Sequence, residues 1–400
     1  MTLQPGDHRP DFPALEEEKN GKKIAYLDNA ATTQKPEKVL ERIQRFYREE
    51  NANVGRSMHE LANRATQAYE GARRTVAEFM GADAEEVVFV RNTTEGMNML
   101  AETLDLDGKI LVPEMAHHSE QLPWRRKAER EDLEIQYIPT SGNELDLEAA
   151  EEMMDEEVAL VSVSHVSNVF GCVNPVEELA DLAHQNDALI VVDGAQSVPR
   201  MPVDVKEMDA DFLVFSGHKM CGPTGSGAVY GRRELLEDLE PYQVGGGMIE
   251  SVKRDGVRWA ETPQRFEAGT PDIAAAVGLE AAAEYVEQVG RKKILEHEKG
   301  LAGKMAEELG RIDGVTVHAP EEPLLVSFTM EEAHPHDVAE ILDREAVAVR
   351  AGHHCAQPQM EEMGISGTTR ASPYLYTTEE EVRRLIKGVE KVREVFGGGP

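Results

Sequence analysis

Cysteine is scarce in this chain: Cys172, Cys221 and Cys355 are the 3 among 400 residues, an odd number at wide spacings. That excludes a disulfide framework and a thiolate zinc site, and it fits a reducing compartment. Basic charge is also short, with 42 Lys and Arg against 75 Asp and Glu and a formal charge of −33. Nucleic acid and anionic membrane surfaces would repel such a chain, so neither is expected as a partner. No apolar run approaches the roughly 18 residues that a membrane-spanning helix needs. The stretch MTLQPGDHRPDFPALEEEKNG holds neither an apolar core run nor a basic leader, so a cytoplasmic protein is expected. Internal repeats and low-complexity segments are lacking too.

Acidic residues are plentiful, and they are spread along the chain, as in Glu16-Glu17-Glu18, Asp155-Glu156-Glu157 and Glu379-Glu380-Glu381. They read as a solvated coat rather than a tail, and a halophilic setting in a saline cytoplasm is the expectation that follows. The length suits one large domain or two. Residues 1–24, with Pro5, Pro10 and Pro13, read as an exposed arm. Helical periodicity covers Val39–Arg48 and Ser57–Phe79, the second with Leu61, Ala65, Ala68, Ala72, Val76 and Phe79 on one face. Strand and helix signals then alternate through Val87–Val90, Lys109–Val112, Leu133–Ile138, Ala159–Val163, Leu189–Val192, Leu213–Phe215 and Ala228–Tyr230. This alternation predicts an α/β fold with a mostly parallel sheet wrapped by helices. The stretch from Gly245 to Thr270 reads as a long loop, and a smaller α+β unit follows it. The predicted division is therefore a large domain at 25–270 and a small C-terminal domain at 271–400.

The chemistry-bearing motifs sit where these strands end. Lys219 follows the apolar Leu213–Phe215 run in Ser216-Gly217-His218-Lys219, at the strand end where open α/β sheets gather ligands. A lysine held there out of water loses proton affinity and becomes a nucleophile. Asp193, one crossover unit earlier, follows Leu189–Val192. It is either a turn or cap residue or the carboxylate that keeps a pyridine nitrogen protonated beside a lysine Schiff base. Thr93-Thr94 opens a helix after a strand, as a plain cap or as a phosphate site. His117 and His118 are adjacent and so cannot share a metal as an i,i+4 pair would; no metal site is expected. One of them is either structural or stacked on an aromatic ligand. Cys355, in Val349-Arg350-Ala351-Gly352-His353-His354-Cys355-Ala356, has positive neighbours that would favour its thiolate; the alternative is a small core residue. Cys172 and Cys221 lack such company. Arg370 is either a fork for a substrate carboxylate or a surface partner of the acidic coat.

Together, Tyr26–Ala31 (YLDNAA), Thr93–Gly96, Ser167–Val169, Asp193–Gln196 (DGAQ), Ser216–Lys219 (SGHK), Phe266–Pro271 (FEAGTP) and the RAGHHCA run resemble class V, fold-type I pyridoxal-phosphate enzymes. More narrowly the chain resembles the cysteine desulfurases of the Suf type (group II), over nearly all of its length after residue 20. The resemblance implies that Lys219 carries the cofactor, Asp193 meets its pyridine nitrogen, Gln196 its ring hydroxyl, and His117 stacks on the ring. Thr94, Ser216 and His218 are implied for the phosphate. Thr270 is implied to reach the neighbouring subunit's cofactor, and hence a homodimer. Asn168, Arg370, Arg56 and Arg350 are implied on the substrate side, and Cys355 as the nucleophile that takes sulfur from L-cysteine as a persulfide, leaving L-alanine. The persulfide would pass to an acceptor or scaffold protein in iron–sulfur cluster assembly. Ala116 stands where Glu is usual and Gly55 where His is frequent, which leaves the acceptor open. The alternatives are a selenocysteine lyase, an aminotransferase-like relative, or a binding protein that keeps only the fold. The last is disfavoured because Lys219 and Asp193 are both present.

Overall fold

Runs such as LIVVD and FLVFS have no polar face to offer water, and a strand with two apolar faces must be covered on both. In the computed structural model, which describes residues 3–55 and 59–396, such strands form the middle of a seven-stranded central sheet. The seven are β1 (Val87–Val90), β2 (Lys109–Pro113), β3 (Glu134–Ile138), β4 (Val158–Ser164), β5 (Leu189–Asp193), β6 (Phe212–Ser216) and β7 (Gly227–Gly231). Their order across the sheet is β1-β7-β6-β5-β4-β2-β3. Every neighbouring pair is parallel except those of β7, which runs against both β6 and β1. The expected α/β fold is thus the one found. Strand pleating sends Ile190, Val192, Leu213 and Phe215 into one apolar layer and Val191, Phe212 and Val214 into the other.

Helices α1 (Glu37–Arg45), α2 (Glu60–Phe79), α3 (Thr93–Thr103), α4 (His118–Glu131), α5 (Val176–Gln185) and α6 (Ile273–Val289) surround this sheet. Helix α3 crosses β6 so closely that a Cβ on Gly96 would lie 2.4 Å from Val214 Cγ1; only glycine fits, and the contact sets where the first turn of α3 points. In α2 the buried face is Ala62, Ala65, Tyr69, Ala72, Arg73, Val76, Ala77 and Phe79, while Leu61 is 46% exposed. The apolar stripe expected from sequence is thus buried at Ala65, Ala72, Val76 and Phe79, half-buried at Ala68 and exposed only at Leu61, and the buried face is wider than that stripe. Arg73 enters the core because its guanidinium is matched by Glu267 at 2.6 Å and the Val87 carbonyl at 2.9 Å, a partner that periodicity cannot reveal.

The second sheet is antiparallel, with β10 (Val315–His318), β11 (Val326–Met330), β12 (Arg350–Gly352) and β13 (Thr368–Ala371) in the order β10-β11-β13-β12. Between the two sheets lies a hairpin, β8 (Ile249–Lys253) with β9 (Gly256–Trp259), where the sequence suggested only a loop. Helices α7 (Arg291–Leu309), α8 (Pro335–Arg344) and α9 (Glu379–Phe396) share an apolar core with the second sheet. Thr378 and Glu381 cap α9 reciprocally, at 2.8 and 3.3 Å.

Two segments cross the division expected near residue 270. Helix α6 packs on α1 and α2 of the large unit. Ala25–Tyr26 instead pairs with Val347–Ala348, and Ala25 and Leu27 join the core of the small unit. We therefore propose that the division falls at Gly290, with Ala25–Leu27 as a return strap.

The N-terminal segment is docked rather than exposed. Its prolines start short helical turns, and Phe12 and Leu15 are 0% and 1% exposed. The Phe12 ring meets those of Tyr376 and Tyr285 edge-on at 4.6 and 5.7 Å, and Arg9 pairs with Glu381 at 2.9 Å. Aromatic contacts with residues hundreds of positions away carry no local signal. Phe12→Ala should therefore destabilise the protein by about 3–5 kcal/mol, read as a lowered midpoint in chemical denaturation; a change below about 0.5 kcal/mol would show that the segment is not part of the core.

Candidate active site

The carboxyl ends of β4, β5 and β6 deliver Ser164, Asp193 and Ser216 to one place, and register sets Asp193 beside Ser164 on one side and Val214 on the other. Above them opens a cavity of about 280 Å³. Its wall contains Thr94, His117, Asn168, Asp193, Gln196, Ser216, His218, Lys219, Arg350, Cys355 and Arg370, all candidates from the sequence. Two candidates are not there. Arg56 lies outside the described residues. Thr270 is exposed in a separate recess of about 410 Å³, with Arg91 and Tyr242.

One corner is built from two helix N-termini. Asn92 caps α3, its Oδ1 accepting from the Glu95 amide at 2.9 Å, and His117 caps α4, its Nδ1 accepting from the Ser119 amide at 3.0 Å. Thr93 N–H donates to Ser216 Oγ at 2.8 Å, and Thr94 Oγ1 lies 2.7 Å from Ser119 Oγ. Hydroxyls and helix-end amides around one space make an anion site. Burial, with Lys219 nearby, lowers His218 to about 4 and His117 to about 3, so both rings are neutral at pH 7. With Nδ1 of His117 accepting, its proton sits on Nε2.

The floor holds Lys219, in the turn Gly217–Lys219 that follows β6. Lys219 is half-buried and lines the cavity, and among the described residues its Nζ has no hydrogen-bond partner. Burial lowers it to about 8 against the pull of Asp193 upward, with Arg370 and Arg200 pushing the same way as burial. Asp193 is buried, its Oδ1 accepting from the Ala195 amide at 2.8 Å. Burial raises its proton affinity and Lys219 draws it back. A second buried acid, Glu120 of α4, accepts from Ser162 Oγ at 3.0 Å and also bonds Ser164 Oγ. Burial and the charge of Asp193 raise Glu120. Of the two acids Asp193 alone faces a cation, so Asp193 is the ionised member.

The second unit closes the rim. Cys355 is exposed at the cavity edge and follows His354, the two at φ +57° and +50°. Consecutive non-glycine residues in the left-handed region are strained, and the surroundings hold them there. His118 N–H donates to the Cys355 carbonyl at 2.7 Å, Asn168 Nδ2 to the His354 carbonyl at 2.8 Å, and His354 Nε2 lies 2.9 Å from Thr368 Oγ1. His354 is not the positive neighbour the sequence suggested. Burial and Arg370 push it down to about 2, and Arg350 spends its charge on Asp28 at 3.1 Å.

Arg370 is buried, which removes the surface ion pair as its role. Burial lowers it to about 10. Its Nη1 donates to the Asn168 carbonyl at 2.7 Å, Asp28 lies 3.6 Å from Nη2, and Nε has no partner. A buried guanidinium with an unused donor beside an open cavity suits a carboxylate. A neutral histidine in the wall, an unpartnered lysine opposite an aspartate, and an anion corner together fit a phosphorylated pyridine aldehyde.

Several members of the site escaped the sequence reading: Asp28, Ser119, Glu120 and Ser164. Ser119 was within reach, since it stands two residues past His117. The others became visible only when distant segments met.

The family model for aminotransferase class-V matches residues 25–385. A cysteine desulfurase of Haloferax volcanii is 44% identical over 97% of this chain and 96% of its own length. A probable cysteine desulfurase of Halalkalibacterium halodurans is 44% identical over 96% and 97%. Among solved structures, the apo cysteine desulfurase of Thermococcus onnurineus superposes with a TM-score of 0.93 at 41% identity, covering 98% of each chain.

The buried histidines make a pH test available. His165, which follows β4 and donates its amide to the Asp193 carbonyl at 3.0 Å, has an unpartnered Nδ1 and is lowered by burial from 6.5 to about 4. The unfolded chain binds this proton first, so its contribution is complete above pH 6.5 and is lost as pH falls towards 4. His165→Gln should flatten the acid limb of stability against pH by about 1.4 kcal/mol per pH unit in that window. Parallel limbs in parent and variant would show that the ring titrates normally.

Proposed function

The chain belongs to the aminotransferase class-V family, and from that premise we propose how its residues share the work of a pyridoxal-phosphate-dependent cysteine desulfurase. L-Cysteine is the substrate and L-alanine the product. The reading is carried by one observation: Lys219, Asp193 and the exposed thiol of Cys355 line the same cavity.

Lys219 would hold the cofactor, with Asp193 at its ring nitrogen, Gln196 at its ring oxygen, His117 against its ring, and Thr94, Ser216 and His218 at its phosphate. Bound there, the cofactor supplies an electron sink for the pair left when the substrate loses its α-proton. With its affinity lowered to about 8, Lys219 can take that proton and return it near neutral pH. Ionised Asp193 would favour positive charge on the ring nitrogen, and neutral His117 would add none beside the ring. Arg370, with Asn168 beneath it, binds the substrate carboxylate; Arg350 guards the rim with Asp28. The Cys355 thiolate attacks the substrate sulfur. An S–S bond forms, the substrate C–S bond breaks with its electron pair going to carbon, and after proton uptake the carbon skeleton leaves as L-alanine. The Cys355 persulfide is left for a thiol acceptor.

The finer reading is a Suf-type enzyme feeding iron–sulfur cluster assembly in a cytoplasm, saline if the charge of −33 is an adaptation. Among the described residues no helix is long and apolar enough to cross a membrane. The exposure of Thr270, away from its own cavity, supports a homodimer in which Thr270 serves the partner's site.

Cys355→Ala should lower sulfide release from L-cysteine by roughly 100-fold or more while the visible absorption of the bound cofactor stays. Mass spectrometry of the parent protein after L-cysteine should find one added sulfur on the Cys355 peptide. Undiminished turnover in the variant would overturn the assignment.

A further inference from the structure

Beneath the cavity floor, Arg200 and Glu298 form an ion pair, Nη1 to Oε2 at 2.5 Å, with the residues 1% and 0% exposed. The second Arg200 nitrogen, Nη2, donates to Gln196 Oε1 at 2.8 Å. The other end of that amide, Nε2, donates to the Ala30 carbonyl at 2.8 Å. Arginine can only donate and a backbone carbonyl can only accept. Turning the amide over would set N–H against N–H and oxygen against oxygen, two buried mismatches in place of two bonds. The amide orientation, which a glutamine's shape leaves ambiguous, is thereby decided.

We propose that Arg200, held by Glu298, is a positioning residue that fixes the Gln196 amide, with Oε1 engaged by Arg200 and, beside the cavity-lining Ala30, one Nε2 proton left to donate. That proton favours an anionic oxygen at the point of the ligand ring that Gln196 meets, because a hydrogen bond to the anion is stronger than one to the hydroxyl. The inference rests on the pyridoxal-phosphate reading above and deepens it. Stability does not account for the pair. Arg200 Nε and Glu298 Oε1 have no partner, and a buried pair so incompletely satisfied is a poor stabilising device compared with apolar packing. Glu298 comes from α7, so the lock also ties the cofactor floor to the unit that carries Cys355.

The test is a pH titration of the visible absorption of the holoenzyme without substrate. Arg200→Met with Glu298→Met removes both charges at similar volume, so the protein should fold, and it frees the amide. A donor lost from an anionic oxygen makes that oxygen more basic and holds the proton beside it to higher pH. The titration midpoint should rise by about one pH unit, tenfold in the equilibrium constant. Arg200→Lys, which keeps a charged donor, should return it towards the parent value. As a measurement independent of that pair, Gln196→Glu, which has no donor, should weaken binding of added pyridoxal phosphate by the apo protein about tenfold or more. An unchanged midpoint in the double variant overturns the inference alone; should the double variant not fold, unchanged affinity in Gln196→Glu overturns it together with the placement of Gln196 at the ring oxygen. A parent protein that gains no visible absorption with the cofactor overturns the functional reading and this inference with it.

Discussion

Asp193 and Lys219 facing each other in a water-poor floor is the constraint on which the rest depends. Each charge alone would be costly at that depth, and each moves the other's proton affinity towards a useful value. Their proximity requires β5 and β6 to be neighbours in parallel register, which in turn requires strands with two apolar faces covered by helices on both sides. The chemistry and the hydrophobic layering are therefore one design problem. Glu120 sharpens it, because a second buried acid beside Asp193 can be tolerated only while it keeps its proton.

The small unit supplies what the sheet cannot: an exposed thiol at the rim and a guanidinium in the wall. Asp28 is the joint. It comes from the strap that pairs with the small unit and meets both Arg350 and Arg370. Asn168 completes the arrangement from the large unit, its amide holding the carbonyl of His354 and its own carbonyl receiving Arg370. The strained pair His354–Cys355 is thus braced from across the cavity, which gives the thiol a set position while leaving it open to solvent. Arg370 and Lys219 meet in one cavity of a molecule whose net charge is −33. Within the cavity, Arg370 puts positive charge where a substrate carboxylate would be held.

Much of this was legible in the residues themselves. Apolar runs of strand length, alternating with helical periods, specify the layered α/β architecture, because burial of those runs has few other solutions. SGHK and DGAQ at the ends of two such runs mark the floor, since strand ends are where side chains escape the sheet and meet a ligand. The RAGHHCA run marks the thiol. What failed was whatever depended on a distant partner: the burial of Arg73 on α2, which needs Glu267; the docking of Phe12 against Tyr376; and the neutrality of His354.

By itself, then, the sequence determined the strand and helix layers and which motifs could carry chemistry, because hydrophobic periodicity and turn residues act over a few positions. Tertiary structure alone decided which of those groups are charged and which way they face. Asp28 between two arginines, Glu120 beside Asp193, and Gln196 between Ala30 and Arg200 are meetings of segments far apart in the chain. Proton affinity and hydrogen-bond direction are set by the burial and partners that such meetings create.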